Sequence, residues 1–171
     1  MLEEANLKEK YFSPDELADL LVQKDPSIQL IDLRSKDEFD KFHLPGALNI
    51  PRPDILNSEN KDFLDQDVKQ NILYSNGTIE ATEVWMILRQ MGYQNNYILM
   101  GGLNYWAETI MNPQKPASVS PDEEIAKYQF RMGVNQALGG ANTEEVSGNS
   151  SISVEKPIIK RPAKKKVHGG C

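Results

Sequence analysis

Ser75 closes a short apolar run, Ile72-Leu73-Tyr74, and is followed at once by residues that interrupt it, Asn76, Gly77 and Thr78. The run has the composition of a strand covered on both faces, and Asn-Gly is a turn signal. From Glu80 onward Ala81, Val84, Trp85, Leu88 and Met91 recur at spacings of three and four, which marks one apolar face of a helix. A strand that feeds directly into a helix leaves a cup of unpaired backbone N–H groups at the positive end of the helix dipole, a seat suited to an anion. Ser75, Asn76, Gly77, Thr78, Ile79, Glu80 and Ala81 are therefore the expected anion-binding loop. Ser75 is aimed into it and decides its chemistry.

The neighbouring residue types narrow that chemistry. The Glu80 carboxylate repels the very anions that the N–H cup attracts. A hydrolase role for Ser75 finds no support, because no G-x-S-x-G elbow surrounds it. His43, the only histidine before the final segment, is read as stabilising its own turn. Asp32 and Arg34, at the end of the apolar run Ile28 to Leu33, are supporting residues read as a structural ion pair rather than a catalytic one.

The single cysteine, Cys171, is the last residue, which rules out an intrachain disulfide and a Cys-based zinc site in this chain. No metal or cofactor is expected. A thiol at the end of Val167-His168-Gly169-Gly170-Cys171 is expected to be exposed and reactive. A flexible tail from Gly139 spans about 30 Å, so reach to the cup is no obstacle, and a tethered thiol there attains an effective concentration of about millimolar. Lys164 to Lys166 favour its thiolate and the terminal carboxylate opposes it.

The elements that position these residues alternate strand and helix. Ser13, Pro14 and Glu16 form a helix start with a capping box, and the helix carries Leu17, Leu20 and Leu21 inward to an end near Asp25-Pro26. A strand over Ile28 to Leu33 leads to a short helix capped by Ser35 and Glu38, then to a turn through His43-Leu44-Pro45-Gly46-Ala47 and a short strand, Leu48-Asn49-Ile50. Phe63 to Gln70 reads as a short helix before the central strand. Tyr97 to Met100 is the last strand, Gly101-Gly102 a sharp turn, and Leu103 to Met111 a helix carrying Trp106; Trp85 and Trp106 are both expected in the core. This alternation implies a mostly parallel sheet covered on both faces, with ligands at the carboxyl ends of the strands, where Ser75 lies.

Beyond Asn112, prolines mark a linker, and Ser120-Pro121-Asp122-Glu123 reads as a second capping box that opens a helix to Leu138, with Ile125, Phe130, Val134 and Leu138 available to pack on the domain. The rest is poor in core-forming residues and is expected to be disordered. The chain of 171 residues thus divides into an N-terminal segment 1–10, a domain 11–112, a linker and helix 113–138, and a basic tail 139–171. Lys156, Lys160, Arg161, Lys164, Lys165 and Lys166 crowd the last sixteen positions, leaving 13 basic against 25 acidic groups elsewhere. The tail reads as a solvated charge run rather than a nucleic-acid footprint. No apolar run approaches the roughly 18 residues of a membrane span, and Met1 to Lys10 is too charged for a signal peptide. A soluble protein in a reducing cytoplasm is expected; the oligomeric state is left open.

Four segments in order resemble the rhodanese domain, the sulfurtransferase fold shared with certain protein-tyrosine phosphatases. They are Ile31-Asp32-Leu33-Arg34 with Glu38-Phe39, the segment His43 to Pro51, the strand, loop and helix around Ser75 as far as Gly92-Tyr93, and Leu99 to Gly102 with Trp106. The resemblance runs from about Phe12 to Met111 and implies a three-layer α/β fold. Its sheet has five mostly parallel strands with helices on both faces, and the active loop follows the fourth strand. In that family the loop begins with a cysteine that carries sulfane sulfur as a persulfide from a donor such as thiosulfate to cyanide or another thiol. An arginine five positions on often holds the donor. Here the spacing is kept while Ser75 stands in place of the cysteine and Glu80 in place of the arginine. A serine hydroxyl cannot carry a persulfide, so double displacement at this position is chemically excluded, and phosphatase chemistry fails for lack of the same thiolate. The resemblance therefore implies a binding or regulatory module related to sulfur transfer, with a sulfur donor or an acceptor thiol protein as its partner. The alternative is a sulfur carrier that uses Cys171 as the persulfide-bearing thiol.

Overall fold

The apolar strand that precedes Ser75 lies at the centre of an all-parallel sheet in the computed structural model, which describes residues 10–139. The strands are β1 (Tyr11–Phe12), β2 (Ile28–Asp32), β3 (Leu48–Asn49), β4 (Gln70–Tyr74) and β5 (Asn96–Leu99), in spatial order β1-β5-β4-β2-β3. Register pairs Asp32 with Tyr74, and Leu73 with Ile98. The carboxyl ends of β2, β4 and β5 therefore share one edge of the sheet, and that edge carries Leu33, Ser75 and Gly101.

Helices α1 (Pro14–Gln23), α2 (Lys36–Lys41), α3 (Lys61–Leu64), α4 (Thr78–Gln90), α5 (Gly102–Trp106) and α6 (Asp122–Ala137) connect and cover the strands, and a π-helical turn, Ala107–Met111, continues α5. Side chains alternate across the sheet, so the core is two clusters. Ile72, Tyr74 and Leu99 pack with Leu17 of α1, Trp106 of α5 and Val134 of α6. Ile31, Leu73 and Ile98 pack on the other side with Ala81, Val84 and Leu88 of α4. Full burial of each such aliphatic side chain contributes about 1.5–3 kcal/mol. The two layers leave α4 with one buried stripe, and Met91, expected on that stripe, is instead exposed.

Identical tetrapeptides behave differently at two helix starts. At Ser13-Pro14-Asp15-Glu16 the full capping box forms: Ser13 N–H donates to Glu16 Oε2 (2.8 Å) and Glu16 N–H donates to Ser13 Oγ (3.2 Å). At Ser120-Pro121-Asp122-Glu123 the expected box is absent, and Pro121 is the N-cap without a side-chain bond. The Ser120 N–H is already committed to the Ala117 carbonyl (3.0 Å), which removes the donor that the glutamate would need.

The helix expected over Phe63 to Gln70 is also corrected, since α3 stops at Leu64 and Gln70 begins β4. Gln66 Oε1 accepts from the backbone N–H groups of Val68 (2.9 Å) and Lys69 (2.8 Å), a local side-chain alternative to helical bonding. The two-residue β1, not foreseen as a strand, pairs with β5 through Met100 N–H to Phe12 O (2.8 Å). Trp106 is buried in the core, whereas Trp85 is half-buried, donates Nε1–H to Asn96 O (2.8 Å) and lies beneath the Lys10 ammonium, 4.1 Å from the ring centre.

Helix α6 docks on α1. Arg131 pairs through both Nε and Nη2 with Asp15 (2.7 Å each), and Asn135 Nδ2 donates to the carbonyls of Ile110 (3.1 Å) and Met111 (2.6 Å) at the end of the π-helical turn. Val134 is buried in this contact, while Phe130 remains exposed. The Arg131 hydrogen bond holds the Asp15 carboxyl below its ordinary range, against the opposing effect of burial and with help from Lys127. Asp15 and Arg131 are only partly buried, so Arg131→Ala is expected to cost about 1 kcal/mol in urea unfolding at pH 7. A folded pKa below the unfolded value stabilises the fold above the ordinary carboxylate pKa of about 4. The deficit of the variant should therefore be full at neutral pH and shrink as pH falls through the depressed value.

The expected tail, with Cys171 and its basic run, lies outside the described residues, as do residues 1–9. Among the described residues no helix is long and apolar enough to cross a membrane.

Candidate functional site

The loop after β4 is fixed from below by the turn after β5. Leu103 N–H donates to Ser75 O (2.9 Å), Asn104 N–H to Asn76 O (3.0 Å), and Gly101 N–H to Thr78 Oγ1 (2.9 Å). These bonds require the chain to enter α5 through two left-handed residues, Gly101 (φ 74°) and Gly102 (φ 60°). A Cβ on Gly102 would lie 2.6 Å from Ser75 O and 2.8 Å from Gly77 O, so backbone meets backbone here with no room for a side chain. The carbonyls of Ser75 and Asn76 thus face α5, and α4 starts at Thr78 with Gly77 as an N-cap that makes no side-chain bond.

Above this floor, Ser75 is wholly buried and its hydroxyl donates to Oε2 of Glu80. Glu80 is the acidic residue of the first turn of α4, where the positive end of the helix dipole favours a carboxylate. The far side of the loop is tied to α2, because Asn76 Nδ2 donates to Glu38 Oε1 (2.9 Å) while Glu38 Oε2 accepts from Ser35 Oγ (2.7 Å). The Ser35 bond first and the Asn76 bond second hold the Glu38 carboxyl below its ordinary pKa.

Asp32 and Arg34 form a separate buried unit at the neighbouring strand end. Arg34 Nη2 donates to Asp32 Oδ2 and to Phe42 O (2.6 Å each), and Nε donates to Asp32 Oδ1 (3.0 Å). Burial disfavours the Arg34 charge, but its bonds to Asp32 outweigh this and hold its pKa above the ordinary value. Tyr74 lies beside the pair, its hydroxyl accepting from Leu44 N–H (3.2 Å). Burial first, and the Asp32 charge second, push the phenol pKa up. Through this unit the turn 42–44 is fastened to β2 and β4.

Of the residues singled out from sequence, the fold brings Ser75, Asn76, Thr78 and Glu80 together, with Gly77 as the cap. Ile79 is exposed to solvent and Ala81 is buried in the core. Asp32 and Arg34 bond to one another, and His43 contacts its own turn, with Nδ1 2.8 Å from Phe39 O and its ring stacked on Phe39. Sequence reasoning missed the Glu38–Asn76 tie and the two amides of α5 that hold the loop. Glu38 was visible as a capping-box residue, but nothing local shows that its second oxygen reaches a loop 38 positions away. Among the described residues no cluster of His, Cys, Asp and Glu is placed to hold a metal.

Known proteins resemble this chain in fold and in sequence. The crystal structure of the BH2092 protein from Bacillus halodurans matches with a TM-score of 0.56 at 22% identity, over 62% of this chain and 77% of that one, a likeness of fold. The adenylyltransferase and sulfurtransferase of Lodderomyces elongisporus is 29% identical over 118 residues, which are 61% of this chain and 25% of that protein. The thiosulfate:glutathione sulfurtransferase of Saccharomyces cerevisiae is 24% identical over 105 residues, covering 56% of this chain and 76% of the relative. The chain therefore spans a quarter of one of these relatives and three quarters of the other. Residues 13–109 match the rhodanese-like domain, more than half of the chain, and the chain belongs to that family.

Proposed function

We propose that this rhodanese-like domain is a binding or regulatory module of sulfur transfer that performs no turnover at its own loop. The observation that carries the reading is the buried Ser75 hydroxyl bonded to the Glu80 carboxylate at the foot of α4. Sulfur transfer at this place needs a thiolate that attacks the donor and holds the sulfur as a persulfide. A serine offers no sulfur to form that bond, and its proton is engaged by an acid far too weak as a base to remove it. The carboxylate also stands where an anionic donor would approach. The fold is otherwise intact around the loop, with two bonds from α5, one from Gly101 before it and one tie to α2, which supports a retained docking role. A sulfur donor or an acceptor thiol protein is the partner class that fits. The test is thiocyanate formation from thiosulfate and cyanide, for which the chain should read at background.

A further inference from the structure

We infer that Glu80 is a second and independent lock on the loop: its charge suppresses ionisation of whatever group occupies position 75, so that restoring a thiol there would not by itself restore a reactive site. The inference rests on the non-turnover reading and extends it from the missing sulfur atom to the residue that now controls the loop.

Three observations support it. The backbone at position 75 is fixed, because Leu33 N–H donates to Tyr74 O (2.9 Å) before it, Leu103 and Asn104 N–H donate to Ser75 O and Asn76 O after it, and the Gly102 backbone is packed against Ser75 O and Gly77 O. The side chain at 75 is wholly buried, and its recorded partner is Glu80 Oε2. The surrounding charges are otherwise committed. Asp32 and Arg34 neutralise each other, Glu38 is bonded to Ser35 and Asn76, and Arg52 pairs with Glu83 on the same helix (2.8 Å). Among the described residues no Lys, Arg or His forms an ion pair with Glu80. Among the described residues its charge is therefore met by the helix N-terminus and solvent rather than by an ion pair, and it lies at hydrogen-bonding distance from the side chain at 75. A thiol placed there would donate a hydrogen bond to the carboxylate and keep its proton, and a thiolate would have to form against a like charge at hydrogen-bonding distance.

The test uses the full chain with Cys171→Ser, so that the introduced thiol is the only one. Ser75→Cys and Ser75→Cys/Glu80→Gln are compared by the rate of alkylation with iodoacetamide as a function of pH, with backbone amide spectra confirming the fold of each. Glutamine keeps the size of the covering side chain and removes only its charge. The double variant should react at least about tenfold faster at pH 7, and the midpoint of its pH–rate profile should lie at least about one unit lower. Equal rates and midpoints would overturn the inference. It would equally be overturned if Ser75→Cys/Glu80→Ala accelerated the reaction while the glutamine variant did not, since cover rather than charge would then be the lock. Either result would leave the non-turnover reading standing, because that reading is decided separately by thiocyanate formation in the unaltered chain.

Discussion

Gly102→Ala should destabilise the domain by about 3 kcal/mol or more. Two effects add. An L-residue held at φ 60° costs about 1–2 kcal/mol. The new Cβ would also sit 2.6 Å from Ser75 O and 2.9 Å from the Asn76 carbonyl carbon, backbone atoms that cannot rotate aside. Relief requires the turn to retreat from the loop, which breaks the bonds from Leu103 and Asn104 to Ser75 and Asn76. Gly46→Ala separates the two effects, because Gly46 has φ 76° but nothing within 4 Å of its added Cβ. That variant should lose only the conformational part, about 1–2 kcal/mol. Urea unfolding of both checks the account, and equal losses would show that the close approach at Gly102 carries no weight.

Asp32→Ala should be comparably damaging for a different reason. It leaves the Arg34 guanidinium buried with Phe42 O as its remaining recorded acceptor, and an uncompensated buried charge costs about 3–5 kcal/mol. Removing both partners together, as in Asp32→Leu/Arg34→Met, should recover most of the loss, since a buried ion pair is close to neutral against well-packed apolar groups. Urea unfolding of the single and double variants supplies the measurement. If the double variant were no more stable than Asp32→Ala alone, the loss would have to come from Asp32's other neighbours, Tyr74 among them.

Much of the fold could be read from particular residues. Ser13 with Glu16 and Ser35 with Glu38 announce two helix starts because the donors and acceptors of a capping box lie within four residues of one another. The same logic misled at Ser120, where the competing bond to Ala117 depends on a loop conformation that no tetrapeptide encodes. The strand and helix around Ser75 were legible from periodicity, and the places of Ser75 and Glu80 in the loop from the resemblance to the rhodanese domain. Their mutual hydrogen bond was not, because a strand-to-helix loop permits Glu80 to point outward as readily as back over Ser75. The Glu38–Asn76 tie and the packing of Gly102 under the loop join residues that are distant in sequence, and only the sheet order β5-β4-β2 brings them to one edge.

The central claim is that no group at position 75 carries sulfur. Thiocyanate formation from thiosulfate and cyanide, measured on the full chain and on Cys171→Ala, tests it most directly. The account predicts background rates for both proteins. Robust turnover that persists in Cys171→Ala would place a working sulfur acceptor within the domain and contradict it.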